Sequence, residues 1–111
     1  MDKIEILGGK PLKGSISISG SKNSSLPILA ATLLADEEFL VGNIPFLSDI
    51  NSMINLLKSL NTEIKFDSQK CYIKSGNPTL LIGSYELVRK MRASFLILGP
   101  LLAKFGYAEV S

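Results

Sequence analysis

SISISGSKNSSLPILAATLLA, residues 15–35, is the stretch on which the reading of the fold turns. Its first five residues alternate. Ser15, Ser17 and Ser19 take one face and Ile16 and Ile18 the other, the period of a strand with one side in water. From Leu26 to Leu34 the chain holds only Pro27, Thr32 and apolar residues. That run predicts a helix without a polar face, with Pro27 in or near its first turn, where a missing N–H costs little. Between strand and helix lie Gly20, Ser21, Lys22 and Asn23. In a layered α/β protein the central strands are apolar throughout and the helices amphipathic; here the relation is reversed.

The pattern recurs outward from this stretch. Ile4 and Ile6 alternate with Lys3 and Glu5, Ile64 and Phe66 with Glu63 and Lys65, and Cys71 and Ile73 with Lys70, Tyr72 and Lys74. Asp67-Ser68-Gln69 joins the last two runs, which predicts a hairpin. Asp49 to Leu60 predicts an ordinary amphipathic helix capped by Ser48. Ile50, Met53, Ile54, Leu57 and Leu60 form its stripe, and Asn51, Asn55, Lys58 and Ser59 cover much of the rest. With a strand at residues 39–42 the order is βαβαββ. A second unit is expected to open at Thr79-Leu80-Leu81-Ile82, bounded by the turn signals Gly76-Asn77-Pro78 and Gly83-Ser84. It passes through a helical stretch over 85–104, apolar from Phe95 to Leu102 and kinked at Gly99-Pro100. It ends in an alternating strand, Tyr107 to Ser111.

One-faced strands and apolar helices fit a sheet wrapped around central helices. Patterning alone still favours an ordinary α+β sandwich with one over-apolar helix. Burying a helix on every side takes more sheet than five or six short strands supply. One apolar helix is therefore expected to keep an open side, and the chain to belong to a larger fold or to associate.

The 111 residues amount to about one small domain, and at 46% hydrophobic they can build a core. The net charge is +2, with no long basic run and no aromatic–basic interleaving, so nucleic acid is not an expected partner. One cysteine, Cys71, and no histidine fit a reducing compartment and argue against a transition-metal site. The N-terminus lacks the pattern of a signal peptide. The longest apolar runs are about half a bilayer span and each holds a proline. A cytoplasmic chain off the membrane is expected.

Two segments could carry chemistry. Gly20-Ser21-Lys22-Asn23 lies at a strand-to-helix junction, where unpaired N–H groups and the helix dipole favour an anion. Lys22 adds a full charge, and Ser21, Ser24 and Ser25 add hydroxyls. A capped helix start with a solvated lysine is the plainer reading, and the segment is not a Walker A loop. Arg89-Lys90-Met91-Arg92-Ala93-Ser94 sets three positive charges, including the only two arginines, against an apolar helix. Arginine suits bidentate contact with phosphate or carboxylate, although a solvated turn would look the same. Cys71 reads as a buried small hydrophobe, Asp49 as a first-turn acid without a catalytic role, and Asp36-Glu37-Glu38 as a solvated turn.

ISGSKNSSLPILAATLLADE, NIPFLSDI and VRKMRASFLILGPLLAKFG, in this order and spacing, resemble the N-terminal part of the UDP-N-acetylglucosamine 1-carboxyvinyltransferases. These are enolpyruvyl transferases of bacterial peptidoglycan synthesis, and the resemblance runs over essentially the whole chain. The related shikimate-pathway enzymes share the Gly-Ser-Lys theme. They are not expected to carry Lys-Asn-x-x-Leu-Pro-Ile-Leu or Met-Arg-Ala-Ser-x-x-x-Leu-Gly-Pro-Leu-Leu.

The resemblance implies an α/β fold of inside-out barrel type, built from βαβαββ units with helices inside and sheet outside, and so reverses the preference for a sandwich. It implies transfer of enolpyruvyl from phosphoenolpyruvate to the 3-hydroxyl of UDP-N-acetylglucosamine. No metal and no cofactor are expected. By motif, Lys22 and Asn23 map to the phosphoenolpyruvate side and Arg92 to a UDP-N-acetylglucosamine contact. The family's catalytic cysteine belongs to a Leu-Pro-Gly-Gly-Cys loop expected after Ser111, and Cys71 does not match it. Residues 1–20 are expected as N-terminal strands belonging to the sheet of a second domain. Residues 21–111 are expected as an incomplete first domain of about one and a half units, inactive alone. A complementing downstream fragment and self-association stand open as partners. A non-catalytic remnant or phosphoryl-ligand-binding module stands open as the alternative function, and 3-phosphoshikimate 1-carboxyvinyltransferase as a more distant one.

Overall fold

A computed structural model of the chain describes residues 2–78 and 81–111. The elements follow in the order α1 (Lys22–Ala31), a 3-10 turn (Thr32–Leu34), β1 (Glu38–Val41), α2 (Ser48–Ser59), β2 (Glu63–Asp67), β3 (Lys70–Lys74), β4 (Ile82–Gly83), α3 (Tyr85–Val88), a 3-10 helix (Arg92–Ile97), α4 (Leu98–Phe105) and β5 (Glu109–Val110).

The alternation in the three central strands sets their sheet. β3 lies between β1 and β2 and is antiparallel to both. β1 and β2 are thus parallel, joined by α2, with the returning strand inserted between them. Phe39, Val41, Ile64, Phe66, Cys71 and Ile73 join the core, while Leu40, Glu63, Lys65, Lys70, Tyr72 and Lys74 face water. A one-residue slip would exchange the two faces, so burial fixes the register. The predicted hairpin is present. Its two turn residues, Ser68 and Gln69, have φ of 48° and 67°, the left-handed pair that matches strand twist in a two-residue loop.

The helices complete the core. The predicted stripe of α2 is buried at all five positions, and Leu56 joins it. The helix starts one residue earlier than expected. Leu47 is the N-cap, and Ser48 is the first helical residue with no side-chain cap bond. α1 contributes Leu26, Leu29 and Ala30, and the turn after it Leu33. It also starts earlier than the apolar run suggested. Pro27 is its sixth residue, where it removes the N–H that would bond the Asn23 carbonyl. Gly99-Pro100 does not kink a long helix. The chain is 3-10 up to Ile97, and Pro100 falls in the first turn of α4, where no N–H is needed. α4 ends at Gly106, whose φ of 76° and N–H to the Leu102 carbonyl (2.9 Å) form a left-handed cap.

One expectation fails. Residues 3–6 and 15–19 form no strand: Ile4, Ile6, Ile16 and Ile18 are each more than 80% exposed. Alternation describes a strand's two faces but provides no neighbour to hydrogen-bond it. With this arm extended, the radius of gyration is 17.5 Å, against about 13 Å for a compact domain of this length. The expected open side is present, and it is found at both apolar helices. Ile28 in α1, Leu34 in the turn after it, Phe95 in the 3-10 helix and Leu102 in α4 stay about half exposed. The second unit shows as β4 and β5, paired in parallel. The part of its start at Thr79-Leu80 lies outside the described residues.

The two faces of the sheet and helices should respond differently to truncation. Leu57→Ala, at a fully buried position, is expected to cost about 2–5 kcal/mol in urea unfolding. Leu40→Ala, on the wet face, should stay within about 0.5 kcal/mol.

Candidate functional site

Position at the start of α1 is set by close backbone packing. A Cβ on Gly20 would overlap the carbonyl oxygen of Asn43, so only glycine lets the two segments meet. Asn43, at φ 54°, turns the chain after β1. Beyond it Ile44 and Pro45 are buried, and the Ile44 N–H donates to the Gln69 carbonyl at the hairpin tip (2.8 Å). The first turn of α1 is thereby fixed to the sheet.

Ser21 is the N-cap of α1 in extended conformation, without a side-chain cap bond. The Ser24 and Ser25 hydroxyls, read from sequence as open to a ligand, instead donate back to the Ser21 carbonyl (3.2 and 2.7 Å). The N–H groups of Lys22, Asn23 and Ser24 precede the first intrahelical bond, Ser25 N–H to Ser21 carbonyl (3.0 Å). α1 packs on α2, and their first turns meet. There Lys22 Nζ lies 2.9 Å from Asp49 Oδ2.

Across from this pair runs the segment around Arg92. Met91 is buried in the core and sets the segment's depth. Arg92 opens the 3-10 helix. Arg89 turns away: it pairs with Glu86 at 3.3 Å and lies over the Tyr85 ring. Among the three basic residues of this segment, Arg92 alone reaches the α1 junction. Lys22, Asn23, Leu26, Asp49, Met91, Arg92, Ala93 and Phe95 line one cleft of about 300 Å³.

The structure therefore gathers Lys22, Asn23 and Arg92 around a common space. Its polar lining is two cations, one carboxylate and one amide, with Leu26, Met91 and Phe95 as apolar wall. Such a lining suits a small anion carrying an apolar part, and it offers no cluster of metal ligands among the described residues. From sequence Asp49 reads as a helix-stabilising acid; in the fold it is the partner of Lys22. No local signal distinguishes the two, because the pairing spans two helices. Cys71 is buried on the core face of β3, outside the cleft. Burial pushes its thiol above the ordinary range.

Gly20→Ala should lower both stability and ligand affinity, since the clash displaces the first turn of α1. Gly99→Ala, with open space around the added methyl, should be neutral or stabilise by roughly 0.5–1 kcal/mol in the same urea titration. Cys71 should resist alkylation in the native chain and react once the chain is unfolded. The raised thiol pKa makes a contribution to stability that is present below about pH 8.5 and is lost as pH rises through the native value. Above that pH the wild type should lose stability more steeply than Cys71→Ala.

Among the described residues no helix is long and apolar enough to cross a membrane. The family model described as EPSP synthase (3-phosphoshikimate 1-carboxyvinyltransferase) matches residues 6–111. The UDP-N-acetylglucosamine 1-carboxyvinyltransferase of Pelagibacter ubique is 52% identical over 111 residues, all of this chain and 27% of that protein. Its namesake from Coxiella burnetii is 52% identical over 112 residues, covering 26% of that protein. The chain thus spans about a quarter of the length of these relatives. The crystal structure of the enolpyruvyl transferase NikO from Streptomyces tendae superposes with a TM-score of 0.75 at 20% identity. It covers 91% of this chain and 24% of its own, which speaks to the fold. With the family model matched from Ile6 to the last residue, the chain belongs to the EPSP synthase family of carboxyvinyltransferases.

Proposed function

We propose that the cleft is one wall of an enolpyruvyl transferase site that takes phosphoenolpyruvate and UDP-N-acetylglucosamine. The carrying observation is that Lys22, Asn23 and Arg92, from segments far apart in sequence, line a single cleft. The relatives' names favour the UDP-N-acetylglucosamine branch over the shikimate one.

The residues divide the work by chemistry. Lys22, at the start of α1, holds the phosphate of phosphoenolpyruvate with the free N–H groups of that turn. Asn23 both donates and accepts, and so bridges to a sugar hydroxyl or amide. Arg92 offers a planar fork to a phosphate or carbonyl of the sugar nucleotide. In a closed site these charges strengthen as water leaves and oppose the charge that develops as phosphate departs. As the cleft stands, it is open and its groups are binding groups. In the whole protein a second domain closes it, and residues 1–20 pair with that domain's sheet, which accounts for their alternation and their exposed isoleucines. The barrel, with helices enclosed by sheet, is the form this completion takes, and it covers Ile28, Leu34, Phe95 and Leu102. Such a protein works in the cytoplasm on peptidoglycan precursors. The 111 residues alone are expected to bind without turning over.

Calorimetry with phosphoenolpyruvate, alone and with UDP-N-acetylglucosamine present, tests the reading. Lys22→Ala should weaken phosphoenolpyruvate and Arg92→Ala the sugar nucleotide, each by roughly ten- to a hundredfold, the loss of one charge-assisted hydrogen bond. Unchanged affinity in both variants would remove the assigned roles. Phosphate release by the 111-residue chain would overturn the expectation that it only binds.

A further inference from the structure

We propose that Asp49 is the positioning residue for Lys22. Its carboxylate holds the ammonium at the mouth of the cleft, so that a phosphorylated ligand meets a cation already in place. This rests on the reading of Lys22 as the phosphoryl-binding group.

Lys22 is badly placed to hold itself there. It is the first residue of α1, at the positive end of that helix's dipole, where a cation is disfavoured. The first turn of α1 has no acidic residue and no side-chain cap to offset this. A lysine side chain is flexible and strongly hydrated, so without a partner it would turn to solvent and away from Arg92. Asp49 supplies the partner at 2.9 Å, and it is the only acidic residue lining the cleft among the described residues. Its own place is favourable and rigid. It is in the first turn of α2, where the dipole and free N–H groups stabilise a carboxylate, and it precedes Ile50, which is fully buried.

The geometry leaves the cation usable. An ammonium has three donors, and Asp49 takes one. Arg92 enters no ion pair among the described residues, so both cleft cations keep capacity for an anion. The rotamer entropy of ordering the lysine is then spent on folding instead of on binding.

Two measurements on the full chain test this. The first is the rate of acetylation at Lys22 by an amine-reactive reagent, read by mass spectrometry against Lys58, an exposed lysine on α2. Lys22 should react several-fold slower than Lys58 in the wild type. It should approach the rate of Lys58 in Asp49→Ala, and be protected again in Asp49→Glu. The second is phosphoenolpyruvate affinity. Asp49→Ala should raise Kd roughly two- to fivefold, as expected for a half-exposed pair. Asp49→Glu should restore it, and Asp49→Ala should have no effect in a Lys22→Ala background. Asp49→Asn, which keeps the shape of the side chain, serves if the alanine variant does not fold. A helix-dipole role alone would lower the unfolding temperature and leave Lys22 acetylation unchanged; that result overturns the proposal. Tighter phosphoenolpyruvate binding in Asp49→Ala also overturns it, by making Asp49 a competitor of the ligand. If Lys22→Ala itself leaves affinity unchanged, the reading of Lys22 as a phosphate ligand fails. If Lys22→Ala weakens binding while Asp49→Ala changes neither measurement, only the role of Asp49 fails.

Discussion

The packing of α1 on α2 is the contact on which the rest depends. Leu26, Leu29 and Ala30 on one helix and Ile50, Met53, Ile54, Leu56 and Leu57 on the other belong to one buried cluster with the apolar face of the sheet. Because the helices enter this contact from the same end, their first turns converge. Two sets of unpaired N–H groups and two opposite charges then share a small volume. The apolar contact fixes the helices, and the polar groups at their starts inherit the precision.

That arrangement is held from outside by backbone, not by side-chain caps. Neither helix has a side-chain cap bond at its N-terminus. The entry to α1 is pressed against the Asn43 carbonyl through Gly20, and the segment after Asn43 is tied to the hairpin tip. The N–H groups that a serine or aspartate cap would satisfy remain available to a ligand. A helix start left uncapped at a cleft gives up about 1 kcal/mol of local stability and gains a site for an anion.

The apolar surface left open has the same origin as the buried core. α1 packs on α2 and on the Arg92–Ile97 helix, and α4 on that helix and on the turn after α1, so each is covered on one side. Their other faces stay open at Ile28, Leu34, Phe95 and Leu102. The extended arm repeats the situation in a strand: its isoleucines lie on one face by alternation, and nothing among the described residues pairs with it.

Much of this was legible in the residues themselves. Period-two alternation marked β2 and β3 and told their wet face from their dry one. The stripe of α2 marked its buried side, and the Lys22–Asn23 junction marked a helix start with a charge. Those features are local, set by spacing that a pleat or a helical turn reads directly. The sequence alone could not say whether Ser15–Ser19 would pair, since a strand needs a partner from elsewhere. It could not say that Ser24 and Ser25 would turn back to Ser21, that Arg92 and not Arg89 would reach the junction, or that Asp49 would stand beside Lys22. Each of those depends on which segments burial brings together, and that was decided only when α1, α2 and the Arg92 segment closed on a common core.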